Sequence, residues 1–303
     1  MKLRKTAIES GYDLAIFGLG YESRSIFAKA KGVDADRSIS IGYKTNTDVL
    51  SYQSNKIFFE NHGCDVFELH DDEIFELVQS KLSEVCKSNI DGASIYFDIT
   101  VFTRSRIASV LGCLLNSRSL LANITIDYVP SRFVDPPIGI TPVKNVCAIN
   151  ERYDGVLGDL NKPVALILPL GYEKSKALGL VNYIDAGRNF VFLPKSSEEK
   201  FFDEVLNNNS EILVDTDSTD IFHYDVADPY SFYVDLKTLV LNSLSIYRPL
   251  LVPLGPKIAC AISVIIGEEL YPDVPVWKVS SNHSEKPVER AAVGSRISFT
   301  LDL

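Results

Sequence analysis

The chain has 303 residues, of which 46% are hydrophobic and 23% are charged, and its formal net charge is −10. This length is typical of two domains, and the composition excludes a disordered or fibrous protein. The acidic balance disfavours non-specific binding to nucleic acid, which relies on a basic surface. A local basic cleft is still compatible with these numbers.

The N-terminus and the cysteines predict a cytoplasmic protein. The first residues, MKLRKTAIESGYD, include a basic start without an apolar segment behind it, so we expect no signal peptide. No run reaches the ~18 apolar residues that a membrane span needs, so no membrane partner is expected. The five cysteines are scattered, without C-x-x-C spacing, as is typical of reduced thiols. The four histidines show no metal-ligand spacing, so no metal site is predicted.

Strands and helices alternate along the first half of the chain. Residues 14–24, LAIFGLGYESR, contain a short apolar strand, a Gly-x-Gly turn and the start of a helix. The further predicted strands are 37–43, 64–69, 94–99 and 124–129, and the predicted helices are 21–31, 45–60, 71–86 and 104–115. This alternation predicts a parallel, doubly wound sheet.

The second half repeats features of the first at an offset of 151 residues. The matched segments are 16–22 with 167–173, 37–44 with 188–195, and 107–110 with 258–261. These matches predict an α/β protein of two tandem, internally duplicated Rossmann-like lobes with mainly parallel sheets, residues 1–150 and residues 151–303. The alternative is a chance alignment of short apolar runs, since strands resemble one another.

Ligands of an open parallel sheet bind at the carboxyl ends of its strands, where helix N-termini favour anions. In the first lobe this rule selects Gly18, Gly20, Tyr21, Glu22, Arg24, Lys44, Asp98, Thr100 and Arg104. In the second lobe it selects Gly171, Glu173, Gly255 and Lys257. We therefore predict that a nucleotide or another phosphate-containing small molecule binds in a cleft between the lobes.

The glycine turn departs from a dinucleotide-binding fingerprint. Ser23 stands where the third glycine would be, and Tyr43 and Lys44 end the second strand where an acid would bind a ribose hydroxyl. Neither a P-loop, G-x-x-x-x-G-K-[ST], nor a G-x-S-x-G elbow occurs in the sequence. These patterns disfavour a nicotinamide or flavin dehydrogenase, and the sequence identifies no cofactor.

Two carboxylates are the candidate catalytic residues. Glu22 directly follows the turn, where it would either satisfy the helix dipole beside Arg24 or bind sugar hydroxyls and act as a general base. Asp98 ends an apolar strand, where a buried carboxylate needs a partner. That partner is either Arg104 or Arg106, in a structural role, or a ribose, a metal or a base in the cleft.

Three short motifs, Gly20 to Arg24, Asp98 to Arg104 and Leu254 to Lys257, resemble motifs of uncharacterised Rossmann-like proteins of bacterial anti-phage defence operons. The resemblance implies a cytosolic protein that handles or senses nucleotides and works beside an operon-encoded protein partner. It assigns no catalytic role to any residue.

Two functional hypotheses follow from the sequence. The first is a nucleotide or sugar-phosphate binding protein in which Glu22 and Asp98 form the acidic pair and Arg24, Arg104 and Lys257 contact the anion. If this protein is an enzyme, this combination of carboxylates and cationic residues best suits cleavage or transfer at a nucleotide glycosidic or phosphate bond. The second is a non-enzymatic sensor or regulatory subunit that controls a partner protein, which the lack of a recognised nucleophile motif favours.

Overall fold

A computed structural model describes residues 1–5, 11–87, 89, 91–136, 143–156, 158–280 and 287–303. Its strands are β1 (Lys2–Lys5), β2 (Tyr12–Gly18), β3 (Ala35–Tyr43), β4 (Asp65–Leu69), β5 (Ala93–Asp98), β6 (Leu121–Tyr128), β7 (Asn145–Ala148), β8 (Val164–Pro169), β9 (Arg188–Lys195), β10 (Ile221–Asp225), β11 (Arg248–Leu251), β12 (Trp277–Ser280) and β13 (Ile297–Asp302). Its α-helices are α1 (Phe27–Ala30), α2 (Tyr52–Asn61), α3 (Ile74–Cys86), α4 (Arg104–Asn116), α5 (Lys176–Ile184), α6 (Glu199–Asn208), α7 (Ser210–Asp215), α8 (Pro229–Ser243) and α9 (Lys257–Glu269). Two compact units result, Met1–Arg132 with Glu285–Leu303, and Phe133–Ser284.

The first unit is built on a sheet that, over the described residues, has seven strands in the order β1-β13-β6-β5-β2-β3-β4. Strands β6, β5, β2, β3 and β4 are parallel, whereas β13 runs antiparallel to both β6 and β1. Strand β5 pairs with β2 although β3 and β4 come between them in the chain, so the strand order reverses at this pair. Open α/β sheets bind their ligands at such a switch point.

Helices cover the central strands of this sheet, which explains why these strands are apolar on both faces. On one face Phe17 of β2 and Tyr96 of β5 pack with Phe59 of α2 in a buried cluster. The predicted strands at 37–43, 64–69, 94–99 and 124–129 are confirmed as β3, β4, β5 and β6. Among the described residues, no helix has both the length and the apolar character of a transmembrane segment.

Two of the predicted helices are shorter than the sequence indicates. Residues 23–26 form a 3₁₀ turn ahead of α1, because the Ser25 side chain bonds back to the preceding turn and competes with a regular helix start. Helix α2 begins at Tyr52, since Asn46 and Leu50 have positive φ angles of 58° and 48°. Such left-handed residues are incompatible with a helix that starts at residue 45.

The second unit is built on a parallel four-stranded sheet of described residues in the order β10-β9-β8-β11. Its strand order reverses between β8 and β11, and strands β4, β3, β2 and β5 of the first unit have the same order. Strands β7 and β12 form a separate antiparallel pair. The duplication stays a prediction, with which this shared strand order agrees.

The division into units differs from the predicted halves, 1–150 and 151–303, because the C-terminal strand belongs to the first sheet. Strand β13 pairs with β6 so that Ser298 lies opposite Asp127. Its alternate residues Ile297, Phe299 and Leu301 are buried, and β6 supplies the backbone partners that a buried strand needs. An α/β fold with a mainly parallel central sheet is confirmed, whereas two contiguous tandem lobes are not.

Candidate functional site

The turn after β2 is hydrogen-bonded within the protein. Ser25 Oγ donates to the carbonyl oxygen of Gly18 (2.8 Å) and accepts from the amide nitrogen of Gly20 (3.1 Å). The amide nitrogen of Leu19 donates to a carbonyl oxygen of β3 (2.9 Å). A Cβ atom on Gly18 would lie 2.6 Å from Val101 Cγ2. The glycines therefore allow the loop after β5 to pack against this turn, and two of its amides are engaged rather than open to a phosphate.

Helix α2 fixes the same turn from the other side. Asn55 Nδ2 donates to the carbonyl oxygens of Gly20 and Glu22, both at 2.9 Å. The carbonyl oxygen of Tyr21 accepts from the amide nitrogen of Ser51 (3.0 Å), and the Tyr21 side chain is partly buried. A single amide side chain thus satisfies two buried carbonyls, which holds the turn in one conformation.

Glu22 and Arg24 form a buried ion pair. Arg24 Nε donates to Glu22 Oε2 (2.6 Å), and Arg24 Nη1 donates to the carbonyl oxygen of Val129 (2.7 Å). The two residues are only 7% and 3% exposed. Burial lowers the pKa of the Arg24 guanidinium, but the neighbouring Tyr128 and Glu22 outweigh it, so that this pKa is raised. The positive charge of Arg24 is therefore compensated by a carboxylate of the same turn.

Asp98 ends β5 at the switch point and is fully buried. Its Oδ1 atom accepts from the amide nitrogen of Thr100 (2.9 Å), whereas Oδ2 has no hydrogen-bond partner among the described residues. Burial and then the charge of Asp127 raise the pKa of Asp98 to about 7, although Thr100 and Arg296 act in the opposite direction. Asp98 therefore changes protonation state near neutral pH, as carboxyl groups at functional sites often do.

Asp127 lies opposite Asp98 on β6 and has its own set of donors. Arg296 Nε donates to Asp127 Oδ2 (2.7 Å), and Ser298 Oγ donates to Asp127 Oδ1 (2.7 Å). The hydroxyl of Tyr96 also donates to Asp127 Oδ2. We call Tyr96, Asp98, Asp127, Arg296 and Ser298 the acidic cluster. Within this cluster, hydrogen bonds compensate the charge of Asp127, whereas the Oδ2 atom of Asp98 accepts no hydrogen bond from a described residue.

A short chain of contacts connects Asp98 to the buried ion pair. Thr100 Oγ1 accepts from the amide nitrogen of Val129 (2.9 Å), and Arg24 binds the carbonyl oxygen of the same residue. The structure therefore brings the predicted residues Glu22, Arg24, Thr100 and Asp98 into one region. Glu22 is held by the ion pair, and the carboxylate that acts most strongly on Asp98 is the one on β6.

The other predicted cationic residues of the first unit have separate surroundings. Lys44 Nζ lies 2.7 Å from Glu73 Oε2 in an exposed ion pair. Arg104 is the first residue of α4 and is partly buried. Arg106 donates to Asp71 Oδ1 (2.6 Å) and to backbone carbonyls of β3 and β4 (2.8 and 2.7 Å). Arg106 thus ties α4 to the ends of these strands and does not serve as the partner of the buried aspartate.

In the second unit, the turns after β8 and β11 face each other at the switch point. A Cβ atom on Gly171 would lie 2.5 Å from a carbonyl oxygen of the second turn, and one on Gly255 would lie 2.4 Å from a carbonyl oxygen of the first. Glu173 forms a 3.6 Å ion pair with a lysine of α5, and Lys257 is the first residue of α9. Close backbone packing therefore explains both glycines, and ligand contact by these residues stays a prediction.

No sequence motif indicates four members of the acidic cluster, Tyr96, Asp127, Arg296 and Ser298. A signal for two of them exists, because Asp127 is the charged residue of the strand LANITIDY, and Ser298 is one of the polar residues that alternate with apolar ones in ISFTLD. Paired residues of neighbouring strands share one face of a sheet. That signal becomes useful only once β13 is known to pair with β6, which the linear sequence does not reveal.

A surface cavity of about 420 Å³ lies at the opposite edge of the first sheet, where β3 and β4 begin. Lys29, Asp34–Ser38, His62, Gly63 and Asp65 line it. This edge carries the amino ends of the strands, whereas ligands of open α/β sheets bind at the carboxyl ends. Within the described part of the chain, no group of three His, Cys, Asp or Glu residues is arranged to hold a metal ion.

Comparison with known proteins identifies no family. No protein-family model matches the chain, and no curated protein matches its sequence. One solved structure with a detectable likeness is phosphoethanolamine N-methyltransferase 1 of Haemonchus contortus, in complex with phosphoethanolamine and S-adenosylhomocysteine. The two are 10% identical over 80% of this chain and 69% of that chain, with a TM-score of 0.25. A likeness of this size does not establish a shared function.

Proposed function

We propose that this protein binds a nucleotide or a sugar phosphate at the carboxyl edge of its first sheet, with Asp98 in contact with the ligand. The observation that carries the proposal is the Asp98 Oδ2 atom, which is buried at the switch point without a hydrogen-bond partner among the described residues. Leaving such a group unsatisfied costs on the order of 1–3 kcal/mol. A ligand that donates a hydrogen bond to this oxygen would recover that free energy.

In this proposal Asp98 is also the group that exchanges a proton with the ligand. A general acid or base works best when its pKa is near the operating pH, and burial raises the pKa of Asp98 to about 7. The chemistry that suits it is cleavage or transfer at the glycosidic or phosphate bond of a nucleotide. Glu22 then acts by holding Arg24 against Val129 rather than as a second catalytic acid.

The second candidate function is that of a non-enzymatic sensor or regulatory subunit that controls a partner protein in the bacterial cytoplasm. It is favoured by the buried ion pair, which compensates the charge of Glu22, and by the hydrogen bonds that compensate Asp127. Of the described acids Glu22, Asp98 and Asp127, Asp98 is then the one without full compensation, and its contact with a ligand would control assembly instead of chemistry. The resemblance to defence-operon proteins adds an operon-encoded protein as the proposed partner.

A thermal-shift screen of the full chain against nucleotides and sugar phosphates tests the proposal. A ligand at ~100 times its dissociation constant adds ~2.7 kcal/mol to the free energy of unfolding. We expect such a shift in the wild type and in Asp36→Asn, an exposed-aspartate control, and a much smaller one in Asp98→Asn. Release of base or phosphate from the ligand that binds distinguishes the enzyme from the sensor, and the lack of a shift with every compound contradicts the proposal.

A further inference from the structure

The acidic cluster has an excess of one negative charge when both of its carboxyl groups are ionised. Asp98 and Asp127 then contribute two negative charges, and Arg296 contributes one positive charge. Tyr96 stays neutral, because burial and the charges of the two aspartates raise its pKa well above the ordinary value. Since an uncompensated buried charge is costly, the cluster without a ligand is best balanced when Asp98 holds a proton.

We infer that the ligand group that docks on Asp98 Oδ2 is a hydrogen-bond donor, either an N–H of the base or an O–H of the sugar, and not the phosphate. The inference rests on the proposed function and specifies which end of the nucleotide reaches the acidic cluster, so of the two proposed reactions it favours the one at the glycosidic bond. A donor satisfies the oxygen that has no partner in the described structure and stabilises the ionised form of Asp98.

A phosphate group would meet unfavourable surroundings at this position. It would approach two buried carboxyl groups, and the guanidinium of Arg296 is already engaged by Asp127 and by the hydroxyl of Tyr96 (2.8 Å). The neighbouring glycine turn does not compensate, because the amides of Leu19 and Gly20 donate to protein acceptors. Like charges within a few ångströms disfavour ionised forms, so an anion is excluded where a donor is favoured.

A donor that binds the Oδ2 atom favours the ionised form of Asp98 and so lowers its pKa, which gives the inference a measurable signature. In the described part of the chain, the charged or titratable groups that face Asp98 are Asp127 on β6, Tyr96 on β5 and Arg296 just before β13. With a pKa of about 7, Asp98 is about half protonated at pH 7, so binding of a donor releases up to about half a proton there. This upper limit is larger near pH 6 and falls to nearly zero near pH 8.5.

Calorimetric titration of the full chain in two buffers of different ionisation enthalpy measures this release. The probes are adenosine 5′-monophosphate, adenosine, 2′-deoxyadenosine, inosine, ribose 5-phosphate and inorganic phosphate. Comparison of adenosine with inosine reports the base amino group, and comparison with 2′-deoxyadenosine reports a sugar hydroxyl. We expect that at least one phosphorylated probe binds and that the same compound without its phosphate also binds. The proton release on binding should fall from pH 6 to pH 8.5. Asp98→Asn should lose affinity by about tenfold or more.

The outcomes separate the inference from the function on which it rests. Binding that requires the phosphate, takes up protons or is unchanged in Asp98→Asn overturns the inference and leaves nucleotide or sugar-phosphate binding intact. Failure of every probe to bind overturns both. The proton release is read from the wild type, so the test holds even if Asp98→Asn does not fold.

Discussion

Asp98 and Asp127 occupy paired positions on the neighbouring strands β5 and β6, and their burial makes the protonation of one depend on the charge of the other. Arg296, from the segment that leads into the C-terminal strand, donates a hydrogen bond to Asp127, whereas on Asp98 it acts only through its charge. The two carboxyl groups therefore differ in chemistry although their backbone positions are equivalent. Such a difference between adjacent carboxyl groups is a common arrangement in sites that exchange protons.

The first prediction concerns the dependence of stability on pH. The pKa of Asp98 is about 7 in the folded protein, above its ordinary value of 3.8, so the folded state binds more protons than the unfolded state between these values. The contribution of Asp98 to the free energy of unfolding is therefore largest below pH 4, decreases as the pH rises and is lost above pH 7. The full change is on the order of 4 kcal/mol.

Urea unfolding from pH 5 to pH 8 measures this effect. Relative to the wild type, Asp98→Asn should gain free energy of unfolding as the pH rises, because the variant cannot ionise at this position. The matched substitution Asp36→Asn, at an exposed aspartate, should show no such trend. A constant difference between the wild type and Asp98→Asn across this range would mean that Asp98 has an ordinary pKa.

The second prediction concerns the buried ion pair. Removal of one partner leaves the other charge buried, so Glu22→Gln and Arg24→Gln should each lower the free energy of unfolding by about 3–5 kcal/mol. The double variant should lose less than the sum of the two, by about 0.5–3 kcal/mol, because the residues are in direct contact. Additive losses in a double-mutant cycle would show that the pair is not coupled.

The third prediction concerns the turn after β2. Gly18→Ala should destabilise the protein by about 1–3 kcal/mol, because its Cβ atom would lie 2.6 Å from Val101 Cγ2. Val101→Ala in the same chain should restore part of that loss by removing the obstructing methyl groups. If instead Gly18→Ala leaves stability unchanged and abolishes ligand binding, the glycine serves the ligand and not the packing of the loop.

The sequence predicts the parallel part of the fold well because local patterns determine it. Apolar runs such as Ala15 to Phe17 and the helical spacing over α3 and α4 are visible without tertiary information, and Asp98 is conspicuous at the end of an apolar strand. The sequence does not predict the return of β13 to the first sheet, because strand pairing across the length of the chain leaves no local signal. Arg296 and Ser298 reach the site only through that pairing.

The candidate site itself is predicted only in part, for a related reason. The order of residues in the sequence places Glu22 and Arg24 beside the turn. A residue type does not show, however, whether its charge is paired within the protein or open to a ligand. The same limit applies to Gly18, because glycine accommodates a phosphate and a packed side chain equally well. Contacts bear on these cases: Glu22 is paired with Arg24, and the loop after β5 packs against Gly18.

The affinity of the wild type and of Asp98→Asn for the nucleotide or sugar phosphate that gives the largest thermal shift tests the central claim most directly. We expect that Asp98→Asn weakens binding by about tenfold or more, equal to about 1.4 kcal/mol, at pH 7, while Asp36→Asn binds as the wild type does. Equal affinity of the wild type and a folded Asp98→Asn would contradict the assignment of Asp98 to the ligand site.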